Sequence, residues 1–314
     1  METKISYRPS PKALLNPCSD RIFKKLFTDD SEESRQALQS FLETIIGKPI
    51  SNIVLQPNEV PIENSQDKNS RFDLNCKIDG TEYANIEMQG INKECAYEKR
   101  AEYHCAHLLN HHVPKGKNWT DVPKVYQISV LNFVREKESE REVFYYKFRT
   151  EDGYTLHDRQ NIFFIELPKV KKLVEAIEDK SLQIKDLTTT QKWCIFFLYA
   201  PKEEYEWLVK EIAREERGIM CVVEVLDKIS QDEIMWKKEF DEFVIETDRR
   251  TTQAFYYNKG KTEGIEQGIE QGIEKGVEQE KLETAKRLLE MGLSFNQVSQ
   301  GTGLSIETLE KLKH

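Results

Sequence analysis

The chain lacks any long hydrophobic run: its longest, residues 193–200, is far shorter than the roughly 20 apolar residues that a membrane-spanning helix requires. It also lacks a basic N-terminal segment followed by an apolar stretch, so neither secretion nor membrane insertion is expected, and the expected location is cytoplasmic. Cysteine is sparse and scattered, with six residues at positions 18, 76, 95, 105, 194 and 221 and no Cys-x-x-Cys pair. That spacing argues against a disulfide framework and suits reduced thiols. Positive charge is in deficit, since 46 Lys and Arg face 55 Asp and Glu for a net charge of −9. Lys and Arg drive affinity for nucleic-acid phosphates, so any such binding must come from local patches. The candidates are Arg21, Lys24 and Lys25; Lys68 and Arg71; Lys115, Lys117 and Lys124; and Lys169, Lys171 and Lys172.

What is present is a polar-faced hairpin. Residues 71–78 alternate Arg71, Asp73, Asn75 and Lys77 with Phe72, Leu74, Cys76 and Ile78; Asp79-Gly80 suits a tight turn, and the return strand ends Asn85-Ile86-Glu87-Met88-Gln89. Period two puts Glu87 and Gln89 on one face and Ile86 and Met88 on the core face, and hairpin register brings Asp73 near Glu87. Two carboxylates that close repel each other unless a cation lies between them, so the pair points to a hard, oxygen-liganded ion such as Mg2+. A solvated face of a half-exposed antiparallel sheet accounts for the same residues equally well.

Other segments carry a resemblance. Asp73 followed by Glu87-Met88-Gln89, the opening stretch Ser19-Asp20-Arg21-Ile22-Phe23-Lys24-Lys25-Leu26-Phe27, and the helix Tyr97-Glu98-Lys99-Arg100-Ala101-Glu102-Tyr103 resemble the Rpn family of recombination-promoting nucleases or putative transposases, in the PD-(D/E)XK nuclease superfamily. The Gly-Ile-Glu-Gln repeats and the closing Met291-Gly292-Leu293-Ser294 and Gly303-Leu304-Ser305 are similar to that family as well. The resemblance implies an α/β fold with a restriction-endonuclease-like mixed sheet flanked by helices. It also implies metal-dependent cleavage of DNA phosphodiester bonds in recombination or a mobile element. Asp73, Glu87 and Gln89 would be catalytic, with Asp73 and Glu87 holding Mg2+ or, as the alternative ion, Mn2+.

The wider superfamily carries Lys where this chain has Gln89, and Gln can hold and donate to a water but brings no charge. A catalytically inactive DNA- or protein-binding relative is therefore the second reading. Asp20 heads a predicted helix and suits an N-cap; the resemblance offers it a second role as an extra carboxylate near the metal, with the cap favoured. Glu43 is a weaker candidate of the same kind. Arg100 and Tyr103, three residues apart on one helix, are candidate contacts to the DNA backbone together with Lys24 and Arg71, and packing beside the hairpin is their alternative role. His104, His107 and His111 recur along the same helix, but with no fourth ligand in view they are expected to be surface or partly buried residues rather than a zinc site.

Four segments are expected along the chain: a nuclease-like core over 1–170, an accessory helical region over 171–258, a Gly-Ile-Glu-Gln connector over 259–281, and a small helix-turn-helix-like tail over 282–314. The connector's period of four makes its apolar stripe drift around a helix, and each Gly costs about 1 kcal/mol relative to Ala, which favours a flexible or self-associating segment. The last helix of the tail carries Glu307 and Glu310 against Lys311 and Lys313, poor equipment for reading a DNA groove, so an oligomerisation role is favoured.

Overall fold

The structure is a computed structural model that describes residues 6–57, 72–90, 97–113, 116 and 118–312. Its chain order is α1 (Asp20–Thr28), α2 (Glu32–Ile46), β1 (Ile53–Gln56), β2 (Leu74–Ile78), β3 (Glu82–Gln89), α3 (Tyr97–His111), β4 (Lys124–Leu131), β5 (Val143–Tyr146) and β6 (Gln160–Glu166), followed by α4 (Lys171–Glu178), α5 (Thr189–Tyr199), α6 (Glu206–Glu215), α7 (Arg217–Ser230), α8 (Glu233–Glu290), α9 (Phe295–Thr302) and α10 (Ile306–Leu312). The chain divides into two compact units, Met1–Lys238 and Glu239–His314.

In the first unit, six strands form one mixed sheet in the order β1-β2-β3-β4-β6-β5. β1, β2 and β3 pair antiparallel, β3, β4 and β6 pair parallel, and β5 closes the edge antiparallel to β6. The parallel step from β3 to β4 is bridged by α3, as a parallel connection requires. One face of the sheet, including Leu74, Cys76, Ile86, Met88, Ile128, Val130 and Ile165, packs against α1, α2 and α5 to α7 in a single core. Residues 171–238, within the 171–258 region expected as accessory, supply much of that core. Trp193 of α5 is its hub, with Phe41 edge-on at 5.2 Å and Phe27, Phe196 and Phe197 around it. The opposite face is covered by α3 through smaller clusters, one of Phe72, Cys105, Leu108 and Val125 and one of Tyr97, Ala101, Leu131 and Phe164.

Two expectations about the hairpin are corrected here. Phe72 does not share a core face with Leu74: it precedes the strand, so the alternation does not extend back to it, and its ring goes beneath α3. Nor is the polar face open to solvent: α3 packs over β3 and β4, and Asn75, Asn85 and Glu87 are buried.

The α2–α7 contact depends on one missing side chain. A Cβ built at Gly218 would fall on the Oγ and Cβ of Ser40, neither of which is the far end of a flexible chain. Gly218→Ala is expected to lower unfolding free energy by about 1–3 kcal/mol in urea titration, despite its better helix propensity. An unchanged midpoint would mean that α2 and α7 do not approach so closely.

In the second unit, Ala285, Val298 and Leu309 form a small core with Leu288, Leu289, Leu293, Phe295, Leu304 and Leu312. Its turns fall at Gly292 and Gly303, with φ of 88° and 75°, conformations that glycine adopts without strain. The Gly-Ile-Glu-Gln repeats are helical, lying within the 58 residues of α8, and residues 259–281 are exposed on every side. No helix is long and apolar enough to cross a membrane among the described residues.

Candidate active site

Leu74 pairs with Ile86 at the end of the antiparallel ladder, and Asp73 immediately precedes it, near enough to Glu87 to feel its charge. The turn that fixes this register has positive φ at Asp79 (47°) and Gly80 (73°). The two carboxylates meet different surroundings.

Asp73 faces α1. Lys24 extends its ammonium to both aspartates, with Nζ 3.0 Å from Asp73 Oδ1 and 3.0 Å from Asp20 Oδ2. The expected cap at Asp20 is not observed: Ser19 occupies the N-cap position, Asp20 lies inside the first turn, and its carboxylate accepts from Lys24 one turn on. Burial pushes the Asp73 carboxyl up, the negative charges of Asp20 and Glu87 push it further, and Lys24 opposes them, leaving its pKa at about 6. Lys24 has the reverse balance. Burial works to lower its pKa, but Asp73 and Asp20 outweigh that and hold it above the usual lysine value.

Glu87 faces α3 and is only 2% exposed. Its Oε1 accepts from His104 Nδ1 at 2.5 Å and from Asn85 Nδ2 at 3.0 Å, and its Oε2 accepts from Arg100 Nη2 at 3.3 Å. Burial alone would raise the Glu87 pKa, but the hydrogen bond and charge of His104, then Arg100 and Asn85, overcome it and hold Glu87 below the usual carboxylate range. Asn85 is itself oriented by donating to Gln127 Oε1 at 2.8 Å on β4. Gln89 ends β3 two residues beyond Glu87, on the same face and partly exposed.

Arg100 therefore turns inward to Glu87, its guanidinium 5.1 Å above the Tyr97 ring. Tyr103 stays 40% exposed and stacks on His107 at 5.8 Å. Glu43, the weaker acidic candidate, has a structural partner instead, accepting from the backbone N–H of Ile50 at 2.8 Å. Among the basic patches, Lys25 pairs with Asp29 and Lys172 with Glu140, while Lys169 is tied to the carbonyls of Glu136 and Ser139. Arg71, Lys68, Lys115 and Lys117 lie outside the described residues. The residue that sequence reasoning missed is His104, treated as one of three equivalent histidines. Its signal was the spacing to Arg100, four residues earlier and therefore on the same helix face.

Among the described residues, no three His, Cys, Asp or Glu side chains form a ready-made metal cage. The donor chemistry nevertheless suits a divalent ion. Mg2+ is held by one or two carboxylates with the remaining positions left to water and phosphate, and Asp20 and Asp73 offer hard oxygen atoms beside the Lys24 ammonium.

A mixed sheet whose antiparallel hairpin brings an Asp near a Glu, followed by a crossover helix that covers the Glu, defines an α/β nuclease core of the PD-(D/E)XK type. The family model described as PD-(D/E)XK nuclease family transposase matches residues 17–252, and the chain belongs to that family. No curated protein and no solved structure matches it significantly. Nucleases of this superfamily generally use divalent metal ions.

Proposed function

We propose that the chain is a metal-dependent DNA endonuclease, acting in recombination or on mobile elements, with Mg2+ as its ion and Mn2+ as the alternative. The observation that carries this reading is the Asp73–Glu87 pair within a site that also draws in Asp20. Asp73 and Glu87 would hold the ion, with Asp20 as a further oxygen donor. The ion, when bound, supplies a water of lowered pKa and neutralises charge on the scissile phosphate. Gln89, at the open end of β3, would orient the attacking water through its amide. Arg100, His104 and Asn85 keep Glu87 ionised and fixed in direction, and Tyr103, 40% exposed on α3, would touch the DNA backbone. The segments 1–170, 171–258, 259–281 and 282–314 would divide catalysis from accessory packing, connection and self-association, with the tail making the homo-oligomer, in a cytoplasmic protein.

The test is plasmid nicking. Purified wild type, Asp73→Ala and Glu87→Ala are incubated with supercoiled DNA in Mg2+, Mn2+ or EDTA; metal-dependent nicking lost in both variants supports the endonuclease. A second reading, a non-cleaving relative that binds DNA or protein, is favoured by Glu87 having both carboxylate oxygens engaged by protein donors. Wild type that binds DNA but leaves it uncut in every metal would support that alternative.

A further inference from the structure

Phosphodiester hydrolysis places a negative phosphate among Asp20, Asp73 and Glu87, and the strand that carries Glu87 ends in Gln89, which brings no charge. Arg100 already donates to Glu87, and on the Asp73 side the charged donor comes from a different helix. That donor is Lys24 of α1: its ammonium lies 3.0 Å from Asp73 and 3.0 Å from Asp20, and its side chain is one-quarter exposed, so an N–H can still reach outward to a substrate. Its placement is a consequence of helix geometry. Phe23, Leu26 and Phe27 are buried in the core on one face of α1, while Asp20 and Lys24, one turn apart, share the edge facing the hairpin. Asp20 anchors the ammonium on its own helix, and Asp73 draws it across to the site.

We propose that Lys24 is a catalytic residue, the cation that contacts the scissile phosphate and stabilises the charge developing on its oxygens. This rests on the endonuclease reading above and adds a role to it. In the reaction, the oxygen of water bonds to phosphorus and the bond to the leaving oxygen breaks; one water proton ends on the leaving alcohol and the other in solvent. Lys24 keeps its proton throughout and acts only as a charged hydrogen-bond donor. A passive backbone contact would behave differently, because it would strengthen substrate binding without favouring the transition state.

The experiment measures kcat, KM and thermal unfolding for wild type, Lys24→Met, Lys24→Arg and Asp73→Asn on a fluorescent duplex, with DNA affinity measured separately in Ca2+. Lys24→Met is expected to lower kcat on the order of 100-fold, with KM and DNA affinity within about threefold of wild type, and Lys24→Arg is expected to recover part of the loss. If Lys24→Met raises KM and leaves kcat alone, Lys24 is a backbone contact and the proposal is overturned. The proposal also fails if Lys24→Met cuts like wild type while Asp73→Asn is dead, an outcome that leaves the endonuclease reading intact. Should Lys24→Met fail to fold, Lys24→Arg decides: a folded Arg variant with kcat above one-tenth of wild type supports the role of charge, and a folded but inactive one overturns it. Wild type that cuts in no metal overturns both readings.

Discussion

His104→Ala is expected to destabilise the protein by about 2–4 kcal/mol, the larger part of it caused by the carboxylate left behind rather than by the lost imidazole. Glu87 is 2% exposed, so water cannot replace the 2.5 Å hydrogen bond from Nδ1. Arg100 at 3.3 Å and Asn85 at 3.0 Å persist, which holds the cost below complete isolation of a buried charge. The cause can be separated from simple loss of packing, because His104 also touches Phe72 edge-on at 5.7 Å between ring centroids. Adding Glu87→Gln to His104→Ala removes the charge and keeps the shape, so the double variant should recover most of the lost stability in urea titration. Strict additivity of the two substitutions would show that His104 acts by packing alone.

The same carboxylate shows where sequence reasoning reached and where it stopped. The hairpin itself was legible because it is a local fact: Asp79-Gly80 makes the turn, and every pair from Ile78–Glu82 to Leu74–Ile86 then follows. The helix that begins at Asp20 was legible for the same reason, as was the helix-turn-helix order after residue 282. What the chain does with the hairpin's polar face was not legible. Burial of Glu87 depends on α3 packing back over β3 and β4, and neither alternation nor composition distinguishes a covered polar face from a solvated one. Lys24 and Asp73 are 49 positions apart, and only the seating of α1 on the sheet makes them neighbours. Asp20 misled for a related reason: a carboxylate at a helix start is a natural cap, yet here a lysine one turn on competes for it and wins, since a charged partner is a stronger attraction than a backbone N–H. The glycine repeats read as a weak helix on propensity alone and are helical within α8, where continuous helix on either side removes the cost of nucleation.

Asp73→Asn is expected to abolish cleavage and, in the absence of metal, to make the protein more stable. With its pKa raised to about 6, Asp73 binds a proton more tightly folded than unfolded. The sign follows from linkage. Between roughly pH 4 and 6 the folded state holds the extra proton, so the Asp73 contribution to stability falls as pH rises through that window and is level above it. At neutral pH the ionised carboxylate therefore carries a penalty of up to about 3 kcal/mol, from roughly two pKa units at 1.36 kcal/mol each. Asparagine removes the charge and keeps the shape, while Lys24 retains Asp20, so urea titrations in EDTA should show the variant about 1–3 kcal/mol more stable at pH 7.5 and little different at pH 4. Saturating Mg2+ should remove most or all of that advantage. An ion held by Asp73 stabilises wild type by about 2.7 kcal/mol at one hundred times its dissociation constant and gives the variant much less. A variant less stable than wild type in EDTA at pH 7.5 would mean that Asp73 is a structural partner of Lys24. A gain undiminished by Mg2+ would remove Asp73 from the metal's ligands.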